Sequence, residues 1–462
     1  MKKIKAYNSL SKKKEIIEPK NPPHLNIYTC GPTVYDHSHI GHARSAITWD
    51  FIIRFLKYMG YKVIWTRNIT DIDDKIINKS KELNLHPNKV AGMYTYSFYE
   101  DMISLNIDWP DFEPHATQYL NEMHEFIKGL IKKGNAYEIN NDVYFLISSY
   151  KKYGQLKGQT INELEKGFGR IEPNEKKKHP LDFAMWKAVK EKNEFGFDSP
   201  WGKGRPGWHL ECSCMCDAIY QTNLDIHGGG EDLIFPHHEN EIAQSESLFN
   251  TSFANYWFHH GMIMVDGKKM AKSEGNFVIV KDALKNISAN ALRLFILNTH
   301  YRMPLNYTNE AIKAAQNGVY RLQEALIDYK EPAQLKPENE WAKEFQEVMS
   351  DDFNSPQALS VLFKLADIIN TEKNKDKKEE LQGTLFFLSN ILGFNLQEKP
   401  IHDGSIKDRS LARLVDLLIL WRNDCKKNKD YKNADKIRQI LNNSNIEVQD
   451  LSEDKYKWQI KY

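Results

Sequence analysis

Apolar and polar positions change period several times along this chain, and each change marks an element. Residues 26–29 are a short β-type run that ends in Cys30-Gly31-Pro32. From Gly41 to Met59 the residues Ala43, Ala46, Ile47, Phe51, Phe55 and Tyr58 recur at three- and four-residue spacing. That predicts a helix closed by Gly60. Residues 62–66 are again β-branched and aromatic. A strand–helix–strand unit of this kind implies a parallel, right-handed, doubly wound sheet. The stretch 120–200 breaks the rhythm with short helical segments and Gly- and Lys-rich loops such as 154–158 and 176–178, and reads as an insertion between two halves of the sheet. Strand and helix signals return at 225–226 and 237–248. From about 311 the pattern is almost wholly helical, 431–441 is a last basic helix, and 446–462 is a small, partly β-type tail. The fold class expected is therefore α/β, a Rossmann-like doubly wound parallel sheet with an insertion, followed by an all-α C-terminal region and a small α+β tail.

Composition narrows the function classes. At 462 residues and 53.9 kDa, several domains are expected. No apolar run approaches the roughly 20 residues a membrane helix needs. The basic start (Lys2, Lys3, Lys5) is not followed by an apolar segment, which argues against a secretory leader; Glu15 and Glu18 argue against a transit peptide. A cytoplasmic protein is expected. The net charge of +1 gives no global nucleic-acid signature, so a polyanion would have to meet local basic patches. Five cysteines, three of them at Cys212, Cys214 and Cys216, suggest metal binding or catalysis more than a disulfide framework.

Two motifs point to nucleotide chemistry. His39-Ile40-Gly41-His42 falls after the first strand, at the start of the helix. Imidazoles beside free N–H groups and a positive helix end suit phosphates, and Gly41 permits close approach. Lys269-Met270-Ala271-Lys272-Ser273, between Asp266-Gly267 and Gly275-Asn276, could close two lysines over a triphosphate. Alone, the first reads equally well as a histidine-rich turn, and the second as a charged surface loop. Together they resemble the HIGH and KMSKS motifs of class I aminoacyl-tRNA synthetases, with Ala271 where that family usually has Ser.

Cys30, Cys212, His237 and Glu241 are dispersed but of zinc-ligand type. On the predicted helix His237 and Glu241 share one face, with His238 and Glu239 directed elsewhere. Bland alternatives stand beside this reading. Free cysteines are often small buried hydrophobes, and an i,i+4 His–Glu pair is often a surface contact. A rival metal set, Cys212, Cys214 and Cys216, would share a face on a strand and diverge on a helix. Asp71, Asp73 and Asp74 could suggest magnesium, although capping and turn roles fit better.

Residues 28–36, 67–75, 204–212 and 225–244 look very like the cysteinyl-tRNA synthetase family of bacterial type, and the resemblance runs over nearly the whole chain. It implies a zinc held by Cys30, Cys212, His237 and Glu241, with Cys214 and Cys216 as packing residues. It implies a cysteine pocket of Gly31, Thr33, Thr70 and Trp208. ATP would meet His39, Gly41, His42, His227, Gly229, Asp232, Lys269 and Lys272, with Mg2+ on its phosphates; the catalytic set would be His39, His42, Lys269 and Lys272. The reaction implied is activation of L-cysteine to an adenylate and transfer to the 2′-OH at the 3′ end of tRNA(Cys). Selection of thiolate by the metal would make an editing domain unnecessary. At the anticodon-binding end the resemblance implies contacts from Lys426, Tyr431, Asp435, Arg438, Asp450 and Trp458; Tyr431 stands where Trp is commoner.

The organisation expected is 1–120 and 201–255 as halves of the catalytic domain and 121–200 as the connective insertion. A stem-contact region at 256–312 carries the lysine loop, followed by a helical tRNA-binding domain at 313–395 and an anticodon-binding domain at 396–462. A monomer is expected. Two other readings remain at this point: a ligase of the same fold that joins cysteine to an amino sugar, and a non-catalytic zinc- or RNA-binding relative.

Overall fold

The computed structural model describes residues 3–167, 177–191, 194–221, 223–270, 276–330, 336–397, 404–428, 430–444, 446–452 and 455–460. They fall into two compact units, Met1–Glu398 and Lys399–Tyr462.

The first unit is built on a four-stranded parallel sheet in the order Tyr256–His260, Ile226–Gly230, His24–Thr29, Lys62–Arg67. Alternation along the strands divides two cores. Leu25, Ile27, Val63, Trp65, Ile226 and Phe258 join one core with the helix Ile40–Tyr58. Tyr28 and Trp257 join the other with the helices Trp208–Tyr220 and Glu239–Phe249. Covered on both faces, such strands need no polar side. The neighbours of the strand His24–Thr29, Lys62–Arg67 and Ile226–Gly230, are far apart in the sequence. A crevice opens at such a switch point, beyond the carboxyl ends of the strands. Cys30 stands there, its N–H donating to Gly228 O (3.1 Å).

The insertion differs from the expected short helices and loops. It contains three strands, Ala136–Ile139, Asp142–Phe145 and Phe183–Ala188, of a four-stranded antiparallel sheet whose fourth, Gly204–Pro206, lies just beyond the expected boundary at 200. Its first hairpin turns at Asn140 and Asn141, both at positive φ (52° and 67°). Asparagine tolerates this conformation, and the two-residue hairpin requires it. Strands this short leave too few periods for alternation to register.

The helical region follows the pattern closely. Asn309–Ala325, Glu340–Met349, Ser355–Thr371 and Lys375–Ile391 are capped by Thr308, Asn339, Asn354 and Asn374, each side chain accepting a first-turn N–H. The second unit consists of helices Gly404–Lys427 and Tyr431–Asn443 and a hairpin of Ile446–Ser452 with Lys455–Ile460. Ile419, Cys425, Ile437 and Leu441 are among its core residues. No helix among the described residues is long and apolar enough to cross a membrane.

Candidate active site

A cavity of ≈ 390 Å³ opens at the carboxyl end of the sheet, and Cys30, Thr33, His39, His42, Trp208 and Met270 are among its lining residues. His39 caps the helix Ile40–Tyr58. Its Nδ1 accepts from Gly41 N–H (3.0 Å), and His42 Nδ1 accepts from His39 N–H (3.2 Å). The rings stack at 3.8 Å between centroids. With each Nδ1 used as an acceptor, a neutral ring carries its proton on Nε2, so both present donors. Burial, then His39 and Lys75, hold the His42 imidazole well below its usual value.

The lysine loop is tied to the same turn from both sides. Before it, Lys268–Lys269 pairs with Ile263–Val265, and Met270 lines the cavity. After it, Ile40 N–H donates to Val278 O (3.0 Å), Val280 N–H donates to Ser38 O (2.8 Å), and the Phe277 ring meets His39 edge-on. Two motifs far apart in sequence therefore meet at one opening. Lys269 is placed by its strand alone, and Ala271 and Lys272 lie outside the described residues.

Cys30, Cys212, His237 and Glu241 bring one donor atom each to within 4.8 Å of one another. Cys30 Sγ lies 3.7 Å from Cys212 Sγ and 3.6 Å from Glu241 Oε1. His237 Nε2 is 2.9 Å from Glu241 Oε1, yet it is a buried nitrogen with no hydrogen-bond partner. A short approach without a hydrogen bond suits two donors aimed at a common ion. The hydrogen bond from Cys30 brings the Cys212 thiol down to about 6 against its burial, while burial pushes Cys30 well up. Burial also pushes the Glu241 carboxyl up, but His227 and His237 outweigh it and hold it well below the usual carboxylate range. One thiolate and one carboxylate beside an imidazole form a donor set for a metal of zinc type.

His238 corrects the helical-wheel expectation. It lies in this cluster, its Nε2 3.3 Å from Cys30 Sγ, and belongs to a second possible set with Cys30, His227 and Glu241. A π-turn over Ile234–His238, with Phe235 at strand-like φ and ψ, leads into the helix Glu239–Phe249; His238 itself has helical φ and ψ (−67° and −33°), and its three-residue spacing to Glu241 shares a helix face just as the four-residue spacing of His237 does. The first set fits a metal better, because His227 Nε2 in the second is spent on Glu241 Oε2 (2.7 Å); the bond between His238 Nδ1 and His259 Nε2 (2.8 Å) leaves His238 Nε2 facing Cys30.

The comparisons with known proteins bear on the family and the fold. The family model described as tRNA synthetases class I (C) catalytic domain matches residues 16–317, and the DALR domain model matches 344–397. A cysteine–tRNA ligase of Geobacillus sp. (strain WCH70) is 42% identical, over 97% of this chain and 98% of its own length. The cysteine–tRNA ligase of Haemophilus influenzae (strain PittGG) is 44% identical over the same shares. The chain belongs to the cysteine–tRNA ligase family of class I tRNA synthetases. Among solved structures, Mycobacterium tuberculosis methionyl-tRNA synthetase in complex with methionyl-adenylate has a TM-score of 0.57 at 14% identity, over 80% of this chain and 89% of that one. The ternary complex of Agrobacterium radiobacter K84 agnB2 LeuRS-tRNA-LeuAMS has a TM-score of 0.59 at 13% identity, over 81% and 84%. At these identities the likeness is one of fold.

The other residues expected from the resemblance separate into cavity wall and interior. Gly31, Thr33, Trp208, Gly41 and Asp232 line the cavity. The Trp208 ring stacks on His237 at 4.1 Å, so the wall rests on a member of the donor cluster. A Cβ at Gly31 would fall 1.7 Å from Asn68 O, which excludes any side chain there. Thr70 lies beneath the wall, its Oγ1 donating to Glu211 Oε2 (3.0 Å) and its N–H to Pro32 O (3.0 Å). Gly229 lies behind the wall, where a Cβ would meet Leu233 Cδ1 at 2.7 Å. His227, which the resemblance assigned to ATP, is wholly buried against Glu241 and is not among the residues lining the cavity. Asp73 is a helix cap, Asp71 accepts from Thr117, and Asp74 is held by Lys187 and Arg205, so protein groups occupy all three carboxylates. Cys214 and Cys216 are packed in the second core, on a helix where alternate residues diverge. In the second unit Tyr431, Asp435 and Arg438 share the exposed face of the helix Tyr431–Asn443, opposite Ala434, Ile437 and Leu441; Lys426 is exposed near the end of the preceding helix. Asp450 and Trp458 are placed by their strands alone.

Proposed function

We propose that the chain activates L-cysteine with ATP and transfers it to the 3′ end of tRNA(Cys), with zinc held by Cys30, Cys212, His237 and Glu241. The observation that carries this reading is the convergence of the His39–His42 turn, the strand leading into the lysine loop, and Cys30 of the donor cluster on one cavity. The orphaned His237 Nε2 and the thiolate–carboxylate set support the metal.

In the first step an oxygen of the cysteine carboxylate bonds to the α-phosphorus of ATP as the bond to pyrophosphate breaks. His39 and His42 offer Nε2–H to phosphate oxygens, and Lys269 and Lys272 meet the charge that develops on the leaving group, with Mg2+ on the phosphates. At Gly41 a Cβ would fall 2.7 Å from the His39 ring, so a side chain there would displace the cap. Asp232 and Gly229 serve the adenosine side. In the second step the terminal 2′-OH attacks the adenylate carbonyl carbon, and AMP leaves.

Zinc at these donors supplies a position that accepts thiolate over hydroxyl. Shape alone would separate cysteine from serine by only ~10–200-fold. Gly31, Thr33 and Trp208 close the wall around the substrate, and Thr70 holds that wall from beneath. His227, through its bond to Glu241, orients a ligand and does not touch the nucleotide.

Lys426, Tyr431, Asp435, Arg438, Asp450 and Trp458 would meet the anticodon end, by phosphate contact and base stacking. The regions 256–312 and 313–395 would contact the stem and the body of the tRNA. We propose a monomer working in the cytoplasm, where reducing conditions keep its free cysteines available as ligands. A match over 98% of the length of cysteine–tRNA ligases, C-terminal region included, counts against the amino-sugar ligase.

The test is pyrophosphate exchange with cysteine and with serine, on protein assayed for zinc. Exchange with cysteine alone and about one zinc per chain is expected. Metal-loaded protein that exchanges with neither amino acid would leave the non-catalytic reading.

A further inference from the structure

The cavity wall beside the paired histidines carries a cation that the reaction scheme above leaves without a task. Lys75 is the second residue of the helix Asp74–Leu83, and its backbone N–H donates to the cap Asp73 (2.8 Å). Its side chain is exposed and lines the cavity together with Tyr35, His39, His42 and Met270. The ammonium stands over the Tyr35 ring, 5.3 Å from its centroid.

The position is unfavourable for a lysine on local grounds. The first turn of a helix is the positive pole, where carboxylates stabilise and ammonium groups do not. Sites that break a local rule without structural gain are where function is expected. No carboxylate pairs with Lys75 among the described residues. Asp73 is used as the cap, and Asp74 is taken by Lys187 (2.9 Å) and Arg205 (2.7 Å). The other described cations lining the cavity are spent: Arg67 on Glu113 (2.6 Å), Arg44 on the main-chain oxygens of Met262, Tyr301 and Met303. Burial and its neighbours keep His42 neutral, so it brings a donor but no charge. Among the described lining residues, Lys75 is the cation left to meet an anion. Tyr35 holds it in place through a ring face, which costs no negative charge in the cavity.

We infer that Lys75 binds a phosphate of the reacting substrates, its ammonium held over Tyr35 beside His42. The phosphate belongs either to the ATP polyphosphate or to the phosphodiester next to the terminal ribose of the tRNA. This rests on the proposed ligase function, and the experiment separates the two claims.

Lys75→Met, Lys75→Gln and Lys75→Arg are compared with the parent in two assays: pyrophosphate exchange with cysteine and ATP, and single-turnover transfer from preformed adenylate to tRNA. Zinc content and melting temperature are measured alongside, and the two neutral variants guard against one that folds poorly. The neutral variants are expected to lose at least ~10-fold in kcat/KM in one of the steps, with Lys75→Arg recovering most of it. Loss in exchange assigns the phosphate to ATP. Intact exchange with slowed transfer assigns it to tRNA. If both neutral variants stay within about twofold of the parent in both steps, Lys75 merely packs on Tyr35 and the inference fails. A parent that exchanges nothing would overturn the ligase reading itself.

Discussion

Arg293 and Asp50 form an ion pair of 2.6 Å in the interior of the first unit, with side chains 1% and 0% exposed. Arg293 also donates to Leu105 O (2.8 Å), Asn106 O (3.0 Å) and Leu392 O (3.0 Å). The second Asp50 oxygen accepts from Arg54 Nε (2.9 Å) and Asp108 N–H (2.9 Å). Asp50 belongs to the helix that His39 caps, and Leu392 ends the helical region. The pair thus fixes the end of that region against the helix whose first turn forms the cavity.

Breaking this pair leaves the buried Asp50 with Arg54 alone and takes a donor from the carbonyls of Leu105, Asn106 and Leu392. Arg293→Met is expected to lower stability by about 3–5 kcal/mol, with Asp50→Asn on the same background recovering part of it. Denaturant midpoints of the three proteins check this; equal midpoints for the parent and Arg293→Met would refute it. Gly393→Ala is expected to be costly too, because its φ is +77° and a Cβ would fall 2.1 Å from Arg293 Nη1.

The two overlapping donor sets make different demands. If Cys212 and His237 are ligands, Cys212→Ser weakens metal binding by more than ~100-fold, and His238→Asn, a change to a supporting residue, by ~10–100-fold. Cys214→Ser leaves it unchanged. Chelator competition on purified protein measures all three. A larger loss in His238→Asn than in Cys212→Ser would transfer the site to the Cys30–His227–His238–Glu241 set.

Glu239, next to these candidate donors, does separate work. Its fully buried carboxylate accepts from the backbone N–H groups of Gly154 (2.8 Å), Leu156 (2.9 Å) and Lys157 (3.0 Å), latching the insertion onto the helix Glu239–Phe249. Glu239→Ala strands three donors and is expected to cost about 3 kcal/mol or more, with Glu239→Gln milder because one acceptor remains. Hydrogen exchange reads this directly. Amides 154, 156 and 157 should lose protection in Glu239→Ala, and unchanged protection there would mean that the latch is held by other contacts.

The periods of the sequence made the sheet, the histidine helix and the four capped C-terminal helices legible, because each runs long enough for spacing to register. The antiparallel sheet of the insertion was not, although Asn140-Asn141 is a hairpin signal that could have found it. Cys30, at a strand end, and Cys212, on the helix Trp208–Tyr220, meet only through tertiary packing, which no local spacing encodes; family resemblance supplied that pairing. His238 was misplaced although it precedes Glu241 by three residues, a spacing that puts both on one helix face and could have brought it into the cluster. Lys75 and Glu239 fall within stretches that carry the resemblance, and Arg44 just after the histidine motif, yet the sequence assigns none of the three a task. Their roles depend on which partners the fold leaves to them.

His260 links the cavity to acid sensitivity. Burial, and then the charge of Arg44, lower its pKa from 6.5 to about 4; Nδ1 meets Gly261 O at 3.2 Å, and Nε2 is buried without a hydrogen-bond partner. Between these values the unfolded chain takes up a proton that the folded chain refuses, so stability falls as pH falls. The contribution is complete above pH 6.5, declines by ~1.4 kcal/mol per pH unit below it, and is lost by about pH 4, a total of about 3 kcal/mol. His260→Asn removes this term. Its stability relative to the parent should therefore improve steadily from pH 7 to pH 4.5, whatever offset the substitution has at pH 7. Denaturant titrations of both proteins along that series measure the difference, in which metal release, common to the two, cancels. Parallel stability curves would mean that His260 titrates alike in the folded and unfolded chains, with Arg44 and burial having no effect on it.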